Sequence, residues 1–325
     1  MTDFRTEVNI SSVSKPFKIT NRFLTAGSCF AEVMGRKMQH YKIPALINPF
    51  GTIFNPLSLC KLLQQALSPD QEFTGEIVER DGYWYAYDLH SSFNAPTRSQ
   101  LIQNIQQQFR QTQAFMAQTD VLILTFGTAV AYVHQESQQV VANCHKIPQR
   151  YFKKHVISIL EMLDAFRRLY AALQQLNPNL RIILTVSPVR HLKETLELNS
   201  VSKSILRVFC HEIVRETPAA CYFPAYEIML DDLRDYRFYK PDMIHPSEVA
   251  EDYIWRKFKQ AYFDQNFQSF TAEWDQIQQA LQHRPFQPES AAHQAFLRNT
   301  LNRLEKLQPL LDCTNEIAIV KKQLK

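Results

Sequence analysis

The chain has 325 residues, 21% charged and 45% hydrophobic, the balance of a polypeptide that buries a large core rather than a disordered one. Thirty-six Lys and Arg against 32 Asp and Glu leave a net charge of +4 with no dense basic cluster, which argues against a nucleic-acid partner. No apolar run approaches the roughly 20 residues of a membrane helix, and the first residues carry no secretion signal, so a cytoplasmic protein without a membrane span is expected.

In chain order, residues 22–26 are short and apolar and run into Gly27-Ser28, after which residues 31–38 have helical periodicity. That predicts a strand, a tight turn and a helix. Residues 56–67 predict a second helix. Asp81-Gly82 followed by the weakly alternating 83–88 predicts a β-hairpin. The Gln-rich stretch 97–117 predicts a helix, and 120–126 a buried strand ending at Gly127. A long amphipathic helix is expected over 156–176, a buried strand over 180–186 and a helix over 198–215. A last short strand spans 220–224, and a helix with Pro at its first turn spans 246–262. Past Phe270 the pattern is helices with charged faces, including 289–307.

Continuous apolar strands alternating with long helices imply a parallel sheet covered on both faces, an α/β doubly wound three-layer sandwich. Such sheets bind ligands beyond the carboxyl ends of their strands, which here carry Gly27-Ser28, Gly127-Thr128 and Ser187-Pro188. Residues 1–265 are expected to form the main domain and 266–325 a helical extension.

The six cysteines include no CxxC pair, so they read as reduced, mostly buried thiols, with no metal and no cofactor expected. Glycine is scarce, six in all, so each should stand where the backbone demands it.

Ser28, between strand and helix, is either a helix N-cap or a nucleophile near helical N–H groups. Asp242 and His245 stand three apart in a loop, a spacing that lets the carboxylate reach Nδ1 while Nε2 faces outward. Each is also explained by a cap, a turn or a surface histidine. Cys29 reads as packing, Ser202-Lys203 as structural, and Tyr83-Trp84-Tyr85-Tyr87 as hairpin packing or a sugar-stacking wall.

Gly27-Ser28-Cys29-Phe30-Ala31 is the signature of the GSCFA family, which is similar to the SGNH (GDSL-like) hydrolases. The resemblance covers roughly residues 20–260. Further blocks are Asn48-Pro49-Phe50-Gly51, Phe126-Gly127-Thr128-Ala129, Asn143-Cys144-His145-Lys146, Ser187-Pro188-Val189-Arg190-His191, Asp235-Tyr236-Arg237-Phe238-Tyr239 and Asp242 to Ser247. The resemblance implies a flavodoxin-like fold, Ser28 as nucleophile, His245 as general base and Asp242 as its orienting carboxylate. It also implies the N–H groups of Ser28 and Gly51 as oxyanion donors. The third block of the wider superfamily reads Gly-x-Asn, but Ala129 stands at the Asn position and cannot donate. Candidates for the missing donor are Thr128, Asn143 and His145, of which Asn143 is favoured because an amide does the same work. Asn48, Gly127, His145 and Arg190 are candidate substrate-binding residues. The expected function is a serine esterase or acyltransferase on a small acyl ester such as an O-acetylated carbohydrate. The alternative is a non-catalytic module that keeps the fold to hold a glycan or partner.

Overall fold

The computed structural model describes residues 6–193 and 195–325. In chain order its elements are β1 (Phe23–Gly27), α1 (Cys29–His40), β2 (Ala45–Ile47), α2 (Pro56–Leu67), β3 (Ile77–Arg80), β4 (Tyr83–Ala86), β5 (Asn94–Ala95) and α3 (Arg98–Met116). Then come β6 (Val121–Phe126), β7 (Val130–His134), β8 (Val140–Val141), β9 (Phe152–Val156), α4 (Ile159–Leu176), β10 (Arg181–Val186), α5 (Leu196–Glu216), β11 (Ala220–Tyr222) and the single turn α6 (Ala225–Glu227). The chain closes with α7 (Glu248–Tyr262), α8 (Gln265–Gln282), α9 (Ala291–Leu307) and α10 (Thr314–Gln323).

Five parallel strands form the central sheet in the order β11-β10-β6-β1-β2. In an extended strand successive side chains face opposite sides, so the apolar runs split between two cores. Leu24, Ala26, Leu122, Leu124, Ile182 and Leu184 face the side covered by α2, α3, α4 and α5. Phe23, Val121, Ile123 and Ile183 face the side covered by α1, α7 and the C-terminal helices. The result is three layers, helix on sheet on helix. Parallel pairing puts the carboxyl ends of β1, β6 and β10 on one rim, with Gly27 opposite Thr125 and Val186 opposite Phe126. The strand order reverses between β1 and β6, and the crevice there is where doubly wound sheets place their ligands.

Three features depart from the sequence reading. The fourth long helix starts at Ile159 rather than at 156, because Val156 pairs with Val130 and the helix waits for its capping box, Ser158 with Glu161. The helix predicted from 246 starts at Glu248. Ser247 is its N-cap and Pro246 lies before it, bridged to Tyr239. Two pairings were not anticipated: β2 on the sheet edge, and the antiparallel sheet of β7, β8 and β9. The predicted hairpin forms as β3 and β4, with Asp81 and Gly82 both at positive φ in its turn. Of its aromatic residues Tyr83 is exposed, while Tyr85 and, just past the hairpin, Tyr87 lie against His145 with ring centroids 5.0 and 6.0 Å away.

The C-terminal helices are part of the second core. Phe267, Trp274, Ile277, Leu297, Leu304 and Val320 are buried in the same cluster as α1 and α7. The Trp274 indole N–H donates to His40 O at 2.7 Å, and Tyr41 OH donates to Asp275 Oδ1 at 2.9 Å.

Candidate active site

Ser28 is the N-cap of α1, fully buried, its Oγ accepting from Phe30 N–H at 3.3 Å. The strand before it can end so tightly because Gly27 takes φ +133°; a Cβ there would lie 2.0 Å from Thr125 O. Asn48 braces the same turn. Its Oδ1 accepts from Gly27 N–H at 2.9 Å and its Nδ2 donates to Ser28 O at 3.4 Å, so this candidate substrate-binding residue serves the backbone. The expected oxyanion donors are already engaged: Ser28 N–H donates to Thr125 O at 2.9 Å, and Gly51 N–H to Asn48 O at 2.8 Å.

Asp242 and His245 meet. Asp242 Oδ2 accepts from His245 Nδ1 at 2.7 Å, while Oδ1 takes the backbone N–H groups of Ile244 and His245 at 2.8 and 3.0 Å. These N–H groups and the imidazole hold the Asp242 carboxyl down to about 2, so it is ionised at all working pH and fixes the tautomer that leaves Nε2 as acceptor. No hydrogen bond joins His245 Nε2 to Ser28 Oγ. His245 lines a cleft of about 280 Å³ with Cys29, Glu32, Val189 and Lys240. Cys29, at the first position of α1, is the half of the Ser28-Cys29 pair that reaches this cleft. Burial pushes its thiol up, while the N–H groups of the first turn and the Lys203 ammonium pull it back.

Arg190 carries the loop that presents His245. Its backbone N–H donates to Ile244 O at 3.1 Å, its guanidinium to Met243 O at 3.3 Å, and it stacks on Tyr239 at 3.8 Å. That is a positioning role rather than a substrate contact. Gly127 N–H donates to Phe54 O, and its carbonyl accepts from Lys203. The Thr128 hydroxyl lies 3.0 Å from Ser202 Oγ on α5. Asn143 and His145 form a separate cluster: Asn143 Nδ2 donates to Ser91 Oγ at 3.1 Å and Oδ1 takes His145 N–H at 2.8 Å. His145 is buried with Nε2 on Ala86 O at 2.8 Å and Nδ1 on Ser91 Oγ at 3.2 Å. No hydrogen bond links this cluster to Ser28. Asn143, favoured above as the replacement donor, has both ends of its amide engaged there.

Two groups gain weight from the geometry. Lys203 is 1% exposed, and its amine donates to Gly127 O and Ser187 O at 2.7 Å each, joining the ends of β6 and β10. Burial drives its pKa down to about 7. A sequence signal for it exists: Lys203 stands on the buried stripe of α5 with Leu206, Cys210 and Ile213. Burial first, then the charges of Lys203 and His245, hold the His191 imidazole down to about 4. Among the described residues no group of three His, Cys, Asp or Glu side chains converges on a metal site, and all six cysteines are free thiols. No helix there is long and apolar enough to cross a membrane.

The arrangement offers a carboxylate-held imidazole that shares a cleft with the N-terminus of a helix at the carboxyl-end rim of a parallel sheet. A model of the GSCFA family matches residues 22–258, and a second, of the GSCFA domain protein C-terminal domain, matches residues 274–325. No curated protein matches the chain. With the first match spanning well over half of it, the chain belongs to the GSCFA family.

Proposed function

We propose that this GSCFA chain is an SGNH-type acyl-ester hydrolase or acyltransferase working in the crevice between β1 and β6. The observation that carries the reading is the 2.7 Å Asp242–His245 pair, set in one cleft with the first turn of α1. In this mechanism His245 Nε2 takes the proton of the Ser28 hydroxyl as Oγ attacks the ester carbonyl, and Asp242 stabilises the imidazolium. The attack requires Ser28 to give up its long cap bond to Phe30 N–H and turn toward the imidazole. His245 then returns the proton to the departing alcohol, and water or a second alcohol releases the acyl group.

A second reading, a non-catalytic cleft that holds a glycan or partner, draws on the engagement of the Ser28 and Gly51 N–H groups within the fold. Labelling with a fluorophosphonate, alongside hydrolysis of simple aryl esters, separates the two. The catalytic reading expects labelling and turnover in the wild type and neither in Ser28→Ala or His245→Ala. Labelling that survives in Ser28→Ala but disappears in Cys29→Ala would move the nucleophile to the thiol that lines the cleft. No labelling and no turnover leaves the binding module.

A further inference from the structure

Three residues that line the His245 cleft, Val33 and Arg36 on α1 and Glu251 on α7, also line a groove of about 1090 Å³ between those two helices, so the two spaces adjoin. Their order along α1 gives the groove a direction. Cys29, at the first position of the helix, lines the cleft, whereas His40 and Tyr41, at its other end, line the groove. The twelve residues between span about 18 Å. At that end Asp275 of α8 joins the wall, its Oδ1 3.9 Å from His40 Nε2. Arg237 and Phe238, from the block 235–239, supply a further part of it.

Size and charge together say what such a groove can hold. A pocket for a drug-sized molecule measures about 300–1,000 Å³. The cleft, at about 280 Å³, takes the ester and its nearest atoms, and the groove beside it has room for several more units of a chain. Among the described residues, five Lys and Arg side chains and five Asp and Glu side chains line the groove. With no surplus of either sign it offers a polyanion or a polycation no net attraction, and its charged lining does not suit a hydrocarbon chain. A polypeptide needs a strand edge to pair with or an apolar trough for a helix. These walls are α1, α7, α8 and the turn 232–238. What fits is a neutral chain that donates and accepts hydrogen bonds along its length, as sugar hydroxyls do toward guanidinium N–H groups and carboxylate oxygens alike. Two of the guanidiniums are ordered for this, Arg256 Cζ lying 4.9 Å from the Tyr253 ring centroid and Arg237 Cζ 5.0 Å from that of Phe238.

We propose that the acyl ester is carried on a neutral polysaccharide whose chain lies along α1 in this groove, with the esterified sugar at His245. The assignment rests on the acyl-transfer reading above and names its substrate class. The departing alcohol is then a hydroxyl of a polymer, and the C-terminal helices contribute to its binding through Asp275.

Chemically acetylated oligosaccharides of one to six units, made from cellulose, xylan and mannan, are the substrates, and the unmodified hexamers are the binding probes. With the full chain, kcat/KM per acetyl group should rise about tenfold or more from one unit to six on at least one of the three backbones. Calorimetry should detect that hexamer with wild type and Ser28→Ala alike. Arg237 and Arg256 are exposed, so replacing both with Ala leaves the fold intact. Arg237→Ala/Arg256→Ala should lower the hexamer-to-monomer ratio of kcat/KM about tenfold. A ratio that stays flat with length on all three backbones overturns the proposal, as does a double variant with the wild-type ratio. Faster turnover of acetylated polygalacturonate, or of a peptide bearing O-acetylserine, than of every neutral hexamer also overturns it and gives the groove to an acidic polymer or a polypeptide. Hexamer binding without any ester turnover keeps the groove and removes the hydrolase reading; ester turnover without a length effect does the reverse.

Discussion

Asp242 illustrates how much a single carboxylate can organise: one oxygen holds two backbone N–H groups and the other holds the imidazole. Asp242→Asn keeps the backbone acceptor but presents the imidazole with an amide that favours the wrong tautomer. Under the hydrolase reading proposed above, ester turnover should fall about 100-fold or more, with KM changed far less, in steady-state kinetics. Lys203 carries a different signature, one of stability. Its pKa is about 7 in the fold against 10.5 in the free side chain. Below pH 7 both folded and unfolded chains hold the proton. Between pH 7 and 10.5 the unfolded chain holds it more than the folded one does. Its contribution to stability therefore rises with pH across that window, by at most about 1.4 kcal/mol per unit. Denaturant unfolding at pH 7 and at about pH 9 should show the wild type gaining on Lys203→Met as the pH rises. A constant difference would place the amine in an ordinary, unperturbed state.

At the scale of elements, the crevice depends on two junctions. The first is β1 into α1. Gly27→Ala would drive a Cβ into Thr125 O at a φ that L-residues avoid, so β1 must part from β6 at the point that delivers Ser28. We expect a loss of at least about 2 kcal/mol in unfolding free energy together with loss of activity. The second is the loop 240–246, which hangs on Arg190 through two carbonyls and a stacked tyrosine. Arg190→Met preserves the aliphatic stem and removes the guanidinium. Faster amide exchange confined to that loop, with kcat lowered about tenfold and little change in melting temperature, is the expected outcome. Unchanged exchange would show that Asp242 alone holds the loop.

Across the whole molecule, the two cores on either side of the sheet differ in origin. One is built from helices between the strands; the other needs α8, α9 and α10 from the end of the chain. Lys42 ties the two parts together, pairing with Glu316 at 2.7 Å and lying over the Trp274 ring. A chain cut after residue 265 uncovers the face of α1 that packs on Trp274 and Phe267. At about 1.5–3 kcal/mol for each large buried side chain, the truncated protein should lose most of its stability. Its thermal unfolding and dye binding would report this. A truncated chain that melts like the full one would mean that the extension folds apart from the domain beneath it.

The sequence alone determined what local chemistry determines. Helix α2 was legible to the residue, 56–67, and the structure adds the reason for its start: Asn55 caps it and Pro56 opens it. The buried strands β6 and β10 announced themselves by continuous apolar runs, and the parallel, doubly covered sheet followed from their alternation with helices. Asp242 and His245 were legible as a pair because three residues of loop bring them together without help from the rest of the chain. Tertiary structure decided the rest. Strand β2 has three residues and exists by pairing with β1, and the β7–β9 ladder joins segments some twenty residues apart. Which N–H groups stay free is set by sheet register, and Gly27 opposite Thr125 engages the Ser28 N–H that local reading left open. The burial of Lys203, and a His191 nitrogen without a hydrogen-bond partner among the described residues, arise the same way. Solvation and hydrogen bonding belong to surroundings assembled from distant segments, and no window of sequence contains them.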